Sequence, residues 1–344
     1  IYGDIIGNGI FGNVIQATDK VNNNQVVLKE IPSSHQNFIE SQKEILSKMN
    51  FPSIISLYGL IEPTEEKKES IIIFPLAINK SLASVLSLEA NNQTSVNWDY
   101  TQKCIIMYGI AMGMYKLHSH DITHQDLKPH NVLINDEFEP WITDIGLTKF
   151  IDPDQSMFQS LAVDSSHYRS PESFESDDYD PKASDVYSFA MLTYHLMTGI
   201  QPFANSKNYF ATLKKINEGE RPIIPKNMFS EKFEELITSC WDQNPLKRPT
   251  FEKIMDIISD SSFYKSSQFK MKELEFYNYQ VKLGELQYIK FSQQKIKKFK
   301  FASLRDSFNG KKSISPIQIL TGMAESGHAE SQFRLGCIYR DEEI

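Results

Sequence analysis

The stretch His124-Gln125-Asp126-Leu127-Lys128-Pro129-His130-Asn131 carries the strongest signal in the sequence. Eighteen residues after Asp126 comes the triplet Asp144-Ile145-Gly146. An Asp-x-Gly triplet taken alone is a common turn. Its aspartate is nevertheless a hard oxygen ligand of the kind that Mg²⁺ prefers. Whether this triplet is a turn or a metal site therefore depends on the motifs around it.

A glycine-rich segment lies near the start of the chain, at residues 7–14, and follows the pattern G-x-G-x-x-G-x-V. Glycines let a backbone pass close over phosphates, where a Cβ would obstruct it. The motif alone is weak, because it equally fits a surface turn or a dinucleotide-binding fold, in which a helix follows the glycines. Here a strand, an Asn-rich turn and a second apolar strand follow. That order favours a phosphate-covering loop built on a hairpin.

Several motifs, in one order over residues 7–251, together resemble a protein kinase catalytic domain. Besides the glycine loop, the catalytic stretch and the Asp144 triplet, they are Val26–Lys29, Tyr168–Glu172, Asp185–Phe189 and Cys240–Phe251. The forms around Tyr187 and at Cys240–Phe251 are most similar to the tyrosine-kinase-like group of Ser/Thr kinases. The resemblance implies an α+β, bilobal kinase fold over residues 1–260, with a small β-rich N-lobe and a large helical C-lobe. It also implies phosphate transfer from ATP to Ser/Thr hydroxyls of protein substrates.

The resemblance assigns a role to each polar residue of the motifs. Asp126 is expected to act as catalytic base, and Lys128 to stabilise charge on the transferred phosphoryl group. Asn131 and Asp144 are expected to hold Mg²⁺. Lys29, at the end of an apolar strand, is expected to contact the α- and β-phosphates of ATP, although a lone strand lysine more commonly faces water. Lys128 at its place is typical of Ser/Thr kinases.

The family's hinge aligns with residues 72–82. Phe74 then occupies the gatekeeper position, and Ala77 supplies the main N–H donor to adenine. Pro75 is tolerated between them because that position offers adenine only a carbonyl. The full set of nucleotide-binding residues implied by the resemblance is Gly7, Asn8, Gly9, Gly12, Val14, Val27, Lys29, Phe74, Ala77 and Leu133.

Three positions depart from the family pattern. Gln42 stands where the helix glutamate that pairs with Lys29 is expected, so a neutral hydrogen bond would replace an ion pair. Gln125 replaces the arginine that receives an activation-loop phosphate, which predicts activity that depends little on such phosphorylation. Ile145 replaces a phenylalanine. These changes keep a second hypothesis open, namely a weakly active or inactive pseudokinase that acts as a nucleotide-binding scaffold.

Hydrophobic spacing predicts the elements of this fold. Strands are expected around Val14–Ile15, Val26–Leu28 and Ile71–Phe74. Helices are expected at Phe38–Met49, from Tyr100 through Leu117, and at Ala183–Thr198, Tyr209–Glu218, Glu231–Cys240 and Phe251–Ile258.

Charge and composition narrow the class of protein. Residues 1–263 carry a net charge of −13, which argues against a nucleic-acid-binding surface there. No apolar run approaches the roughly 20 residues of a membrane span. The three cysteines have no paired spacing, which is typical of reduced thiols and predicts a cytoplasmic protein.

The end of the chain differs from the rest. Residues 261–312 are predicted to form a basic linker, since residues 264–312 carry a net charge of +8. Residues 313–344 resemble a partial Sel1-like repeat, an α-helical hairpin related to the tetratricopeptide family, and a plain helical hairpin is the alternative. A single repeat cannot bury its own face. We therefore expect further repeats beyond residue 344 and a protein partner bound by the array.

Overall fold

The computed structural model describes residues 2–9, 12–20, 23–49, 51–63, 69–94, 98–146, 166–175, 178–206, 208–264 and 269–275, with residues 277, 278 and 281. The chain divides into two compact units. One contains Ile1–Ser34 and Leu57–Leu76, and the other contains His35–Ser56 and Ala77–Lys282. Within the described ranges, no helix combines the length and the apolar character that crossing a membrane requires.

The first unit is an antiparallel sheet of five strands in the order β1-β2-β3-β5-β4. Its strands are β1 (Tyr2–Gly9), β2 (Gly12–Thr18), β3 (Gln25–Pro32), β4 (Gly59–Ile61) and β5 (Glu69–Pro75). Alternate side chains of a strand share a face, and one face of this sheet buries Ile15, Ala17, Val26, Leu28 and Ile71. The predicted hairpin of two strands after the glycines is confirmed as β2 and β3.

The second unit is mainly helical. Its helices are α1 (Gln36–Lys48), α2 (Leu82–Ala90), α3 (Tyr100–Ser119), α4 (Glu172–Glu175), α5 (Pro181–Thr198), α6 (Tyr209–Asn217), α7 (Glu231–Cys240) and α8 (Phe251–Ile258). Helices α3 and α5 are buried over most of their residues, and α3 packs on α5 and α8. Such helices form the buried centre of a helical unit.

Short polar residues mark where these helices begin. The side chains of Ser81, Asp99, Asp180, Asn208, Ser230 and Thr250 each accept a hydrogen bond from a backbone N–H in the first turn of the helix that follows. Such caps satisfy N–H groups that have no partner within the helix. Helix α5 ends at Gly199, whose φ of 71° is a conformation that glycine adopts without steric cost.

A two-stranded hairpin lies between α3 and α4 in the chain. It consists of β6 (Val132–Ile134) and β7 (Pro140–Ile142), which pair antiparallel. The N–H of Ile142 donates to the carbonyl of Ser53, which ties the hairpin to the segment after α1. Asn131 stands directly before this hairpin and Asp144 follows it with one residue, Thr143, between, so the hairpin lies between the two predicted metal ligands in the chain.

The described residues after α8 pack onto the helical unit. A 3-10 helix spans Ser261–Phe263, and residues 271–275 and 277–278 are helical. The Tyr277 hydroxyl lies 3.0 Å from Ser53 Oγ, and its ring meets that of Tyr108 edge-on. The predicted linker, residues 261–312, therefore begins with packed residues. Its remainder from 282 on and the predicted repeat at 313–344 lie outside the described residues.

Candidate active site

The carboxylate of Asp126 is held by its own loop. Lys128 Nζ lies 2.9 Å from Asp126 Oδ2, and both side chains are about nine-tenths buried. Asn131 Nδ2 donates to the same oxygen at 2.8 Å and to the Asp126 carbonyl at 2.7 Å. Hydrogen bonds to an ionised group are stronger and more directional than neutral ones. The carboxylate is therefore fixed in place with a cation beside it.

A buried aspartate on α5 binds the backbone of this loop. Asp185 is completely buried and accepts hydrogen bonds from the backbone N–H groups of His124 at 2.8 Å and Gln125 at 2.7 Å. Gln125 has a φ of 64°, in the left-handed region that a non-glycine residue adopts at some cost. Asp185, the first residue of the motif Asp185–Phe189, thus supports the backbone of the catalytic loop. His118 Nε2 lies 2.9 Å from Asp185 Oδ2, a contact that the sequence motifs did not predict.

The Asp144 triplet is fastened to the same loop. His124 Nε2 lies 3.0 Å from the Thr143 carbonyl, and the N–H of Gly146 donates to the His124 carbonyl at 3.2 Å. Asp144 has a φ of 59° and Gly146 a φ of 67°. The positive φ of Asp144, a non-glycine residue, persists where surrounding contacts fix it, whereas Gly146 on the other side of Ile145 adopts such a φ without steric cost. The metal-ligand candidate thus lies on backbone that the catalytic loop positions.

The oxygen atoms of this site fit a magnesium ion. With both Asn131 amide hydrogens directed to Asp126, its Oδ1 makes no hydrogen bond within the described residues. Mg²⁺ is usually held by one or two protein oxygens, with phosphates and waters completing six ligands. Across the described ranges, no group of three His, Cys, Asp or Glu residues forms a self-sufficient metal cage. Asn131 and Asp144 therefore suit a Mg²⁺ ion that arrives with phosphates.

The glycine-rich hairpin and Lys29 lie in the sheet unit. Gly9 pairs with Gly12, Asn8 with Asn13 and Gly7 with Val14. Lys29 is on β3, between Val14 of β2 and Ile72 of β5. Val14 and Lys29 are therefore direct neighbours on the paired strands β2 and β3.

Gly12 has a structural requirement of its own. Its φ is 144°, and a Cβ built there would lie 2.1 Å from the Glu30 carbonyl oxygen. At Gly7, by contrast, the nearest atom to an added Cβ is Val14 Cβ at 3.8 Å, an ordinary contact. The fold therefore explains the glycine at position 12 and leaves the one at position 7 unexplained.

The predicted adenine-binding residues are divided between the two units. Phe74 is buried on β5 and pairs with Val27 of β3. Ala77 and Leu133 belong to the helical unit. Among the described residues, the N–H of Ala77 donates to none.

Gln42 has a different partner from the one that the sequence suggested. Its Nε2 donates to the carbonyl of Ile145 at 2.8 Å, and the side chain is buried. The nearby glutamates of α1, Glu40 and Glu44, are exposed. The signal for this contact was weak, because an amide on one helix does not specify a backbone acceptor about a hundred residues away.

An ion pair connects two of the sequence motifs. Arg248 donates through Nη1 and Nη2 to the two carboxylate oxygens of Glu172, at 2.6 and 2.9 Å. Burial opposes the ionisation of Glu172, but the hydrogen bond and charge of Arg248 outweigh it and lower the pKa of that carboxyl. The pair thus links the motif Tyr168–Glu172 to the motif Cys240–Phe251.

Comparisons with known proteins agree with this arrangement. The family model described as "Protein kinase domain" matches residues 2–257. The chain is 29% identical over 263 residues to a Dictyostelium discoideum "probable serine/threonine-protein kinase", covering 74% of this chain and 19% of that protein. It is 28% identical over 256 residues to the D. discoideum dual specificity protein kinase shkB, covering 72% and 38%. It is 31% identical over 266 residues to the Arabidopsis thaliana serine/threonine-protein kinase VIK, covering 73% and 57%.

The chain thus spans between about a fifth and somewhat over half of the length of these relatives. The match of the family model covers most of the chain, and it includes every motif from the glycine hairpin to Arg248. From residue 2 to residue 257, this chain belongs to the protein kinase family.

Proposed function

We propose that this chain transfers the γ-phosphate of ATP to serine and threonine hydroxyls of protein substrates. The observation that carries the proposal is the fixed carboxylate of Asp126, with Lys128 Nζ at 2.9 Å and Asn131 Nδ2 at 2.8 Å. A general base must be held where it can accept a proton in the transition state. The contacts of the Asp126 carboxylate with Lys128 and Asn131 support that role.

The other residues supply binding and charge. Lys128 is close enough to Asp126 to steady both its carboxylate and negative charge on a phosphoryl group. Asn131 Oδ1 and the Asp144 carboxylate would hold Mg²⁺, which neutralises phosphate charge when it is bound. Lys29 would contact the α- and β-phosphates. Adenine would be held by Val14, Val27, Phe74, Leu133 and the N–H of Ala77.

Preference for serine and threonine rests on Lys128 and on the relatives. Two of the three relatives named above are described as serine/threonine-protein kinases, and the third as a dual specificity kinase. Tyrosine kinases usually carry another residue at the place of Lys128. We also propose membership of the tyrosine-kinase-like group, on the forms around Tyr187 and Cys240–Phe251.

A nucleotide-binding scaffold is the second candidate function. It is favoured by the neutral amide of Gln42 in place of a glutamate, and by Gln125, whose Nε2 donates to Thr123 Oγ1 at 3.1 Å. Without an arginine at position 125, we propose that phosphorylation of the segment after Asp144 has little effect on activity. Treatment with phosphatase should then leave the rate unchanged.

Radiolabelled phosphate transfer to a generic protein substrate tests the first function against the second. Asp126→Asn removes the proton acceptor and keeps the shape, so the rate should fall by about 10² to 10⁴-fold. Asp136→Asn, an exposed aspartate in the β6–β7 turn, makes the same chemical change and should have no effect. If the wild-type signal equals that of Asp126→Asn while ADP and Mg²⁺ still bind, the scaffold function replaces the kinase function.

The end of the chain adds a proposed role in recognition. We propose that residues 313–344 begin a Sel1-like repeat array that binds a protein partner, and that the protein acts in the cytoplasm. Support comes from the small and aromatic residues that alternate there and from the three cysteines, which have no paired spacing. Binding assays with and without residues 313–344 test the first part, and localisation of the tagged full-length protein tests the second.

A further inference from the structure

Gln42 makes the contact that links helix α1 to the segment of the proposed metal aspartate. Its Nε2 lies 2.8 Å from the carbonyl oxygen of Ile145, the residue after Asp144. Gln42 is 4% exposed and Ile145 is 1% exposed, so water does not compete freely for this bond. A carbonyl oxygen only accepts hydrogen bonds, and the side chain that meets it must therefore be a donor.

The backbone that Gln42 contacts depends on outside support. Ile145 lies between two residues of positive φ, Asp144 and Gly146. His124 supplies two of the contacts that hold this segment, at the Thr143 carbonyl and at the Gly146 N–H. In the described part of the chain, Gln42 is the side chain that fixes the carbonyl between them.

We infer that Gln42 is a positioning residue, which holds the Asp144 segment in its metal-binding conformation through the Ile145 carbonyl. This inference rests on the proposed function, because it concerns the ligand of the same magnesium ion. The family pattern alone predicts that glutamate is the better residue at position 42, whereas the contact with the Ile145 carbonyl requires a donor there. Glutamate in this position has no hydrogen to donate when ionised, and it places a carboxylate against a carbonyl oxygen in a buried site.

Two substitutions separate the donor from the size of the side chain. Gln42→Leu removes the hydrogen bond and keeps an approximate volume, and Gln42→Glu replaces the donor with an acceptor. Each should lower kcat by about 3- to 10-fold, as expected for the loss of one buried hydrogen bond. Each should also raise the Mg²⁺ concentration needed for half-maximal rate, and leave KM for the protein substrate unchanged. Asn37→Asp makes the amide-to-acid change on the exposed face of α1 and should match the wild type.

The pH dependence of Gln42→Glu distinguishes a positioning role from a general loss of stability. A protonated carboxylic acid regains an O–H donor, and burial favours that neutral form. The deficit of Gln42→Glu relative to wild type should therefore shrink as the pH is lowered from about 8 to about 6. Gln42→Leu has no such group and should keep a constant deficit.

A measurement without nucleotide keeps the inference separate from the proposed function. Amide hydrogen exchange over residues 143–146 should be faster in Gln42→Leu than in wild type or in Asn37→Asp. If the wild type transfers no phosphate, the kinase function fails, and faster exchange with weaker Mg²⁺·ADP binding still supports the positioning role. Unchanged exchange would overturn the inference. So would a Gln42→Glu variant as active as wild type at about pH 8, because a hydrogen-bond donor at position 42 would then not be needed.

Discussion

Two glycines of one motif have different physical reasons, and a pair of alanine substitutions should show it. Gly12→Ala forces a Cβ to 2.1 Å from the Glu30 carbonyl in a backbone of positive φ, so we expect a loss of about 2 kcal/mol or more in stability. Gly7→Ala meets only an ordinary contact and should unfold at the wild-type temperature. Thermal unfolding of the two variants compares them directly.

Kinetics of the Gly7→Ala variant then test the phosphate-covering role. If the backbone at Gly7 approaches ATP, the added methyl should raise KM for ATP several-fold at unchanged stability, by roughly the cost of one steric contact. KM for the protein substrate serves as the internal control. An unaltered KM for ATP would mean that position 7 does not approach the nucleotide.

His195 provides a prediction about acid stability. Burial is the main reason that its pKa is lowered to about 4, and its Nδ1 lies 2.8 Å from the Tyr168 hydroxyl. The unfolded state, with an ordinary histidine pKa near 6.5, binds a proton at higher pH than the folded state does. Stability should therefore fall as the pH drops from about 6.5 to about 4, by about 2 kcal/mol from this residue.

Replacing His195 should flatten that part of the stability curve. In His195→Asn, the amide oxygen can still accept a hydrogen bond from the Tyr168 hydroxyl, but the side chain at position 195 no longer titrates. The difference between variant and wild type, measured by urea unfolding at several pH values, should narrow as the pH falls. A parallel pair of curves would show that His195 titrates normally in the folded protein.

The ion pair between Glu172 and Arg248 joins α4 to the segment that leads into α8. Arg248→Ala leaves a partly buried carboxylate without its partner and should cost about 3–5 kcal/mol. The double variant with Glu172→Ala should recover part of this loss, since the charge left behind is then gone as well. Urea unfolding of the three variants gives the coupling, and full additivity would contradict it.

The stability that the Glu172–Arg248 pair contributes also depends on pH. Here the folded state favours the charged form of Glu172, whereas it favours the neutral form of His195. The pKa of Glu172 is lowered in the folded state, chiefly by the hydrogen bond from Arg248 acting against burial. Its contribution is therefore present above the ordinary glutamate pKa and is lost as the pH falls through the lowered value. Arg248→Ala should lose stability mainly at neutral pH and approach the wild type in acid.

The elements show which structural features the sequence predicts well. Helices α7 and α8 begin and end where hydrophobic spacing placed them, because each has one apolar face and a capping residue. Helix α2 was not predicted, since Leu82–Ala90 is short and largely apolar, and its periodicity is weak. Strands β6 and β7 have three residues each, too few for an alternating pattern to appear.

Within the site, the sequence motifs identified the candidate residues better than they predicted which residues these contact. The catalytic loop, Asp185 and the Glu172–Arg248 pair all lie in motifs that carry the resemblance to the kinase family. The Gln42–Ile145 and His118–Asp185 contacts do not follow from these motifs, because they depend on how separate helices pack. The division of the proposed nucleotide-binding residues between a sheet unit and a helical unit likewise requires the three-dimensional structure.

At the scale of the whole molecule, the structure extends the folded unit past the family match, which ends at residue 257. The net positive charge of residues 264–312 predicts a solvated linker. That charge is a sum over the whole segment, and it does not show where apolar residues lie within it. Its first residues instead carry apolar groups that are buried, namely Tyr264, Leu274, Tyr277 and Val281. Tyr264 stacks on Phe269 with ring centroids 4.1 Å apart.

This packing predicts that a chain ending at residue 260 is much less stable than one ending at residue 282. Only the shorter chain loses the buried ring of Tyr277, its contact with Ser53 and the Tyr264–Phe269 stack. Removing one large buried aromatic side chain typically costs about 3–5 kcal/mol, so the total should exceed that range. Urea unfolding of the two chains measures the difference.

Point substitutions locate the effect at the surface of α3. A Cβ at Gly109 would lie 2.6 Å from Pro140 Cγ and would also collide with the Tyr277 hydroxyl, so Gly109→Ala should destabilise the longer chain. In the double variant with Tyr277→Phe the collision with the hydroxyl is relieved, and part of the loss should return. The chain ending at 260 already lacks Tyr277, so Gly109→Ala should cost less there than in the chain ending at 282. Equal costs in the two chains would show that residues 261–281 do not pack on α3 in solution, because the added methyl would then meet only Pro140.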